Sequence, residues 1–244
     1  MENSVIRVCG LKKSFGSNEV LKGIDMEINR GDVVGYLGSN GAGKSTTVKI
    51  MCGLIPTFGG EVEIFGNDLR KEDTNIKLRI GYVPENAVMY EQLTPLEYLG
   101  LVGTLYQMSK ELQSERIDHY LKMFDMKNEE NKRMINFSKG MKQKIHLISG
   151  LLHDPEVLFL DEPLNGLDAN SVIIVKELIS KLAAEGKTIF YCSHLMDVVE
   201  KVANRIILLN NGVLVADGSP EELMSGYKVK SLESLFTTLT STPV

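Results

Sequence analysis

From Val20 to Gly38 the chain reads VLKGIDMEINRGDVVGYLG, in which apolar and polar positions alternate and then give way to an unbroken apolar run. Alternation is the period of a half-buried strand. A short continuous run bounded by turn residues is that of a strand buried on both faces, here 33–37. A glycine-rich stretch follows, and a helix opens over 44–52. EVEIFG predicts another strand and RIGYVPE a third, ending at Pro84. From 85 to about 135 the period turns helical. Thr94-Pro95-Leu96-Glu97 forms a capping box with proline at the first helical position, and a second helix covers 110–124. With few strand-like runs, this stretch predicts a helical insert of about 50 residues. Ser138 is placed to cap a helix running to 153. EVLFLDEP and KTIFYCSH are short, continuously apolar strands with a helix over 169–184 between them. That order predicts a parallel, buried sheet. RIILLNNGVLVADG carries Asn211-Gly212 between two apolar runs, a hairpin signal. SPEE at 219–222 caps one more short helix, and the last residues read as frayed.

Composition narrows the picture without changing it. The chain has 244 residues, 43% apolar and 24% charged, which fits one large domain, or a domain with an insert, of ordinary soluble composition. No apolar run approaches the ~18 residues of a membrane-spanning helix, and the start, MENSVIRVCG, lacks a basic and an apolar leader region. A net charge of −5 without a basic block argues against nucleic acid as the main partner. Cys9, Cys52 and Cys192 have no metal-ligand spacing and sit among apolar neighbours, so they are expected to be reduced core thiols of a cytoplasmic protein.

The chemistry starts at GSNGAGKST. Gly38 to Ser45 matches Gly-x-x-x-x-Gly-Lys-Ser, a loop whose backbone N–H groups turn inward around an anion. Ser39, Asn40, Gly41, Ala42, Gly43, Lys44, Ser45 and Thr46 are the candidate nucleotide contacts. Lys44 reaches the β- and γ-phosphates, and the Ser45 hydroxyl ligates Mg²⁺. The strand–loop–helix order places the loop at a helix N-terminus, where orphan amides and the macrodipole favour a polyphosphate. Asp161 and Glu162 close a buried strand. Phosphoryl chemistry needs one carboxylate there for the metal and a second for the attacking water, so Asp161 is assigned to Mg²⁺ and Glu162 to the general base. The plainer alternative is a polar strand end that starts a loop.

Two more stretches, FSKGMKQK and the CSH ending at His194, complete a set with the phosphate loop and LFLDEPLNGLD. In this order and spacing, from about Val5 to Ser219, the chain resembles ATP-binding cassette ATPases, the nucleotide-binding subunits of ABC transporters. The resemblance implies an α/β fold: a P-loop NTPase core with a mostly parallel sheet, an N-terminal antiparallel β subdomain and a helical insert. It divides the chain into a catalytic core with the β subdomain (1–84 and 155–227), a helical part (85–154) and a short tail (228–244). Phe15 stands where the family stacks an aromatic ring on adenine, against the alternative of a core aromatic; Val20 packs beside the base or is simply core. Phe137 to Met141 occupies the signature position, usually Leu-Ser-Gly-Gly-Gln. Ser138 and Gly140 match it, Lys139 and Met141 depart from it, and a plain helix cap is the alternative for Ser138. In the family this motif contacts the ATP of a second subunit, so two cassettes close head-to-tail around two nucleotides. Asn165 and Asp168 match the segment crossing that interface, and His194 the histidine that bonds the γ-phosphate. Glu85 replaces the family's usual Gln beside the metal and is a candidate Mg²⁺ contact.

The resemblance further implies that ATP and Mg²⁺ are bound and that ATP is hydrolysed. The partner is a separately encoded membrane permease docked on the helical insert, and the chain lies at the inner face of the cell membrane through it. The SKGMKQK and Pro84-Glu85 variants resemble small bacterial exporter-type members. Met89, Tyr90, Leu93, Tyr98, Tyr106, Met108, Met123 and Met126 within the insert suit a partner groove or, more plainly, the insert's own core. A nucleotide-gated regulatory or assembly ATPase is the alternative function. DNA-repair members need a long coiled coil that the roughly 90 residues between Lys44 and Ser138 cannot hold, and translation-factor members carry two cassettes. His119, His146 and His153 are assigned nothing. A SLESLFTTL helix in the tail either packs locally or touches a second subunit.

Overall fold

The computed structural model describes residues 4–71, 74–85, 88–193 and 196–240, and of Asp197 the backbone alone. Two long strands, β1 (Ser4–Phe15) and β2 (Asn18–Asn29), pair antiparallel. The apolar run forms β3 (Val33–Gly38), followed by the glycine-rich loop and α1 (Lys44–Met51). β4 (Gly59–Ile64) and β5 (Asn67–Asp68) join β1 and β2 in a four-stranded sheet ordered β2-β1-β4-β5. Next come α2 (Thr74–Arg79) and β6 (Ile80–Val83). The predicted helical stretch holds α3 (Pro95–Leu105) and α4 (Lys110–Met123), and α5 (Lys139–Leu151) follows. The remaining elements are β7 (Val157–Asp161), α6 (Ala169–Ala184), β8 (Thr188–Cys192), α7 (Met196–Val202), β9 (Arg205–Asn210), β10 (Val213–Gly218), α8 (Pro220–Gly226) and α9 (Leu232–Thr240). A second sheet is ordered β10-β9-β3-β8-β7-β6, parallel throughout except for the β9–β10 hairpin.

The parallel sheet is buried on both faces, and strand alternation divides its side chains between two cores. Val33, Leu37, Leu158, Leu160, Ile189 and Tyr191 face the core built by α3 to α7 and α9. Val34, Tyr36, Val157, Phe159, Phe190 and Cys192 face the core shared with α1 and the antiparallel sheet. The termini of the helices are chemically defined. Thr94 and Glu97 bond reciprocally (Thr94 N to Glu97 Oε2 2.8 Å, Glu97 N to Thr94 Oγ1 3.2 Å), the box the sequence predicts. Ser138 accepts from the Met141 amide at 3.2 Å, and Ser219 and Glu222 form a second box.

One expectation changes, and two readings left open by the sequence close. Cys9 is half-buried rather than core, because strand alternation puts it on the same face of β1 as exposed Arg7, opposite to buried Ile6 and Val8, whereas Cys52 and Cys192 are buried. The helix expected in the tail forms over Leu232–Thr240. Leu232 and Leu235 are fully buried, and the Leu239 carbonyl accepts from Asn210 Nδ2, so this helix packs locally; residues 241–244 lie outside the described ones. Of the Met and Tyr residues in the insert, all but Tyr90 (68% exposed) are buried or packed against the core, and the plainer reading holds for them.

An ion-pair fork ties α2 and the loop before β3 to the loop before β7. Arg79 Nε reaches Glu156 Oε1 at 2.6 Å and Arg30 reaches Oε2 at 2.9 Å. Arg79, then burial in opposition, then Arg30 set the carboxyl's affinity for protons, and it is held down to about 2 against an ordinary 4.5. A depressed carboxylate contributes stability that is full above the unfolded value and lost as pH falls toward the folded one. The side chains are 32–53% exposed, so solvent screens the fork. Glu156→Ala is expected to cost about 1 kcal/mol in denaturant unfolding at neutral pH. The difference from the parent should persist down to pH 4.5 and shrink only below it; a difference already gone at ~pH 6 would place the carboxylate outside the fork.

Candidate active site

The site forms at the carboxyl ends of the parallel strands, where β3 gives way to α1. Gly41 and Gly43 adopt φ of 81° and 112°. A Cβ on Gly43 would meet Leu21 Cδ2 at 2.6 Å, so only glycine lets the loop lie this close to β2. Thr47 N to Gly43 O (2.9 Å) is the first α-helical bond at this end, which leaves the amides of Lys44, Ser45 and Thr46 as the orphan donors of the first turn. No side chain caps them and no acidic residue stands in that turn.

A cleft of about 760 Å³ opens over these amides. Asn40, Gly41, Gly43, Lys44, Ser45 and Thr46 line its floor, Glu85, Asp161 and Glu162 one end, and Phe15, Asn18 and Val20 the other. The predicted loop residues thus converge, with two exceptions. Ala42 is buried in the core beneath the loop, and Ser39 contributes its carbonyl, which accepts from Lys44. Lys44 is 9% exposed, and its ammonium folds back on the loop, donating to Gly38 O at 2.7 Å and Ser39 O at 3.2 Å. Phe15 is 51% exposed, which removes the core-aromatic alternative.

At the acidic end, Ser45 hydrogen-bonds the Asp161 carboxylate. Burial pushes the Asp161 carboxyl up; the Ser45 bond opposes this, Glu85 and Glu162 add to it, and Lys44 opposes it. Glu162 is 8% exposed, with φ at 50°, a left-handed backbone rare for glutamate. Its amide donates to Cys192 O at 2.9 Å, and its Oε2 accepts from Ser193 Oγ at 3.1 Å. Ser193 escaped the sequence reading, although parallel register supplies the signal: Asp161 pairs with Cys192, so the next residues of the two strands are neighbours. Asn18, at the base end, and Gln143 were also missed. His194 lies outside the described residues.

The site's fit to a magnesium nucleotide can be read from its donors. Among the described residues no group of three His, Cys, Asp or Glu side chains forms a metal cage. A hydroxyl bonded to a strand-end carboxylate, both oxygen donors, suits instead an ion that keeps its waters and takes substrate phosphate oxygens.

Ser138, Lys139, Gly140 and Met141 do not line this cleft; they start α5 against the 163–168 turn. A Cβ on Gly140 would come within 2.5 Å of Gly166 O, and Gly166 lies under the Lys139 stem. Gln143 Nε2 donates to Pro163 O at 3.0 Å, and Lys144 pairs with Asp168 at 3.0 Å. Asp168 also caps α6, accepting from Ser171 N and Oγ at 2.9 Å. These contacts, the Ser171 amide first, hold its carboxyl far below the usual range. Asn165 N donates to Glu162 O at 3.2 Å. Glu85 bridges the cleft to a second hollow of about 280 Å³ beside Lys139 and Gln143.

Known proteins resemble this chain in sequence and in fold. An uncharacterized ABC transporter ATP-binding protein of Nostoc sp. is 40% identical over 84% of this chain, and the chain spans 61% of that relative's length. The daunorubicin resistance ATP-binding protein of Streptomyces coeruleorubidus is 33% identical, with 91% of this chain and 71% of the relative covered. Among solved structures, an ATP-binding subunit of an ABC transporter superposes with a TM-score of 0.91 at 30% identity, covering 96% of this chain and 99% of that one. A dimeric ATP-binding cassette bound to ADP and Pi gives 0.80 at 26% identity, covering 88% and 98%. The ABC transporter family pattern itself matches residues 21–165, from β2 through the phosphate loop to the turn past Glu162, and the chain belongs to that family.

Proposed function

We propose that this chain is the ATP-hydrolysing subunit of an ABC transporter that powers a separately encoded membrane permease, of exporter type. The observation that carries the reading is one cleft holding the orphan amides of α1, Lys44, the Ser45–Asp161 pair and Glu162 together. Lys44 exchanges its bonds to Gly38 and Ser39 for the β- and γ-phosphates, and the first-turn amides take the remaining oxygens. Ser45 and Asp161 hold Mg²⁺, with Glu85 beside them. When bound, the ion neutralises charge on the phosphate oxygens. Glu162, aimed by Ser193, takes the proton of the attacking water. Phe15 stacks on the base, with Val20 at its edge. His194 completes the γ-phosphate contacts.

Ser138, Lys139, Gly140 and Met141 serve the nucleotide of a second cassette, and Asn165 and Asp168 lie at the junction of the two. Their position outside their own cleft supports this, as does the dimeric form of a similar cassette bound to ADP and Pi. Export is favoured by likeness to a daunorubicin resistance protein. Among the described residues no helix is long and apolar enough to cross a membrane. On this reading the chain sits at the inner membrane face through its permease, and the division into core (1–84, 155–227), helical part (85–154) and tail (228–244) follows the family.

Affinity purification from detergent-solubilised source cells tests the assignment. A polytopic membrane protein is expected in stoichiometric amount. Its absence from a preparation that still binds ATP would favour a soluble regulatory or assembly ATPase.

A further inference from the structure

Phe15 ends β1 at the tip of the first hairpin. It is paired across the strands with Asn18 and followed by Gly16 at φ 60°. A half-exposed ring at a hairpin tip has few neighbours to fix its rotamer, yet a stacking platform has to be ordered before its ligand arrives. One neighbour is present. The Lys13 ammonium lies over the Phe15 ring, 4.9 Å from its centroid. The two residues are two apart on an extended strand, so their side chains leave on the same face. Lys13 is itself anchored: its Nζ donates to Thr57 O at 2.6 Å, in the loop between α1 and β4. The ring is therefore backed by a cation that the loop between α1 and β4 holds in place.

We infer that Lys13 is a positioning residue for the base-stacking face of Phe15. Its ammonium occupies one π-face and leaves the other to the base of the nucleotide. The inference rests on the stacking role of Phe15 proposed above, and names what orders it. Lys13 acts through the ring and touches neither phosphate nor metal.

The test compares equilibrium affinity for ATP with that for inorganic tripolyphosphate, which has the phosphates and no base. In the parent, ATP binds more tightly. Phe15→Ala is expected to reduce that ratio by ~5- to 150-fold, the range of lost base–aromatic stacking. Lys13→Met, which keeps the stem and removes the charge, should reduce it by ~2- to 5-fold, as for an exposed cation–π contact. Tripolyphosphate affinity should not change. Lys13→Arg should restore the ratio, since a guanidinium also stacks on aromatic faces. Failure of the two ideas is distinguishable. If Phe15→Ala leaves the ratio at the parent value, the stacking role falls and the positioning role with it. If Phe15→Ala lowers the ratio and Lys13→Met does not, only the positioning role is overturned. If Lys13→Met weakens ATP and tripolyphosphate equally, its charge acts on the phosphates and the inference is wrong.

Discussion

Glu162→Gln is expected to leave ATP binding near the parent value and to lower turnover by ~10²–10⁴-fold, the usual contribution of a positioned general base. Glutamine keeps the length and shape of the side chain and its oxygen still accepts from Ser193, but it cannot take a proton from water. The backbone supports a clean substitution. The residue is held at φ 50° by the bond from its amide to Cys192 O, which either side chain tolerates equally. A filter-binding or fluorescent-nucleotide titration alongside a phosphate-release assay separates the two effects. A variant that hydrolyses ATP at the parent rate would remove Glu162 from the role. The proton acceptor would then have to be sought among the other groups at the acidic end of the cleft.

The second large effect belongs to Lys44. Its ammonium sits 2.7 Å from Gly38 O and 3.2 Å from Ser39 O, almost wholly out of solvent. Neutral carbonyls compensate a buried cation less well than anions do, and phosphate oxygens offer it full charge pairing. Lys44→Ala removes the one cationic side chain on the cleft floor among the described residues. Turnover is expected to fall by ~10²–10³-fold, the loss typical of a single donor aimed at developing charge. Nucleotide affinity should weaken with it, since the same bonds form in the bound ground state. Hydrolysis within a few-fold of the parent would show that the first-turn amides hold the phosphates without it.

Where an element carries its own pattern, the sequence was sufficient. The helix after Asp168 was expected over 169–184 and forms there, because its cap, its apolar period and its flanking glycine agree. The buried strands were legible for the same reason: a run apolar on both faces fits only the middle of a layered fold. β5 and α2 were not legible. Asn67 to Arg79 is polar and lacks a period, and its structure comes from contacts made elsewhere, such as the Arg79–Glu156 bond. The site divides similarly. The loop glycines, Lys44, Asp161 and Glu162 announce themselves through residue type and spacing. Ser193 and Lys13 act through neighbours brought alongside by strand pairing, which a linear reading does not contain. The expectation for Cys9 failed because apolar flanks in sequence do not fix which face of a strand a residue occupies.

The strand order of the parallel sheet has a consequence for synthesis. β3, which carries the phosphate loop, is flanked by β8 and β9, so Val34 finds one partner in Phe190 and the other in Arg205. Both arrive in the last quarter of the chain. A nascent polypeptide leaving the ribosome therefore exposes this wholly buried strand, unpaired on both edges, until most of the chain has been made. Such long-range closure is slow and leaves strand edges open to other chains. A product that ends between about residues 50 and 187 retains every residue of the phosphate loop, yet lacks both strands that flank it.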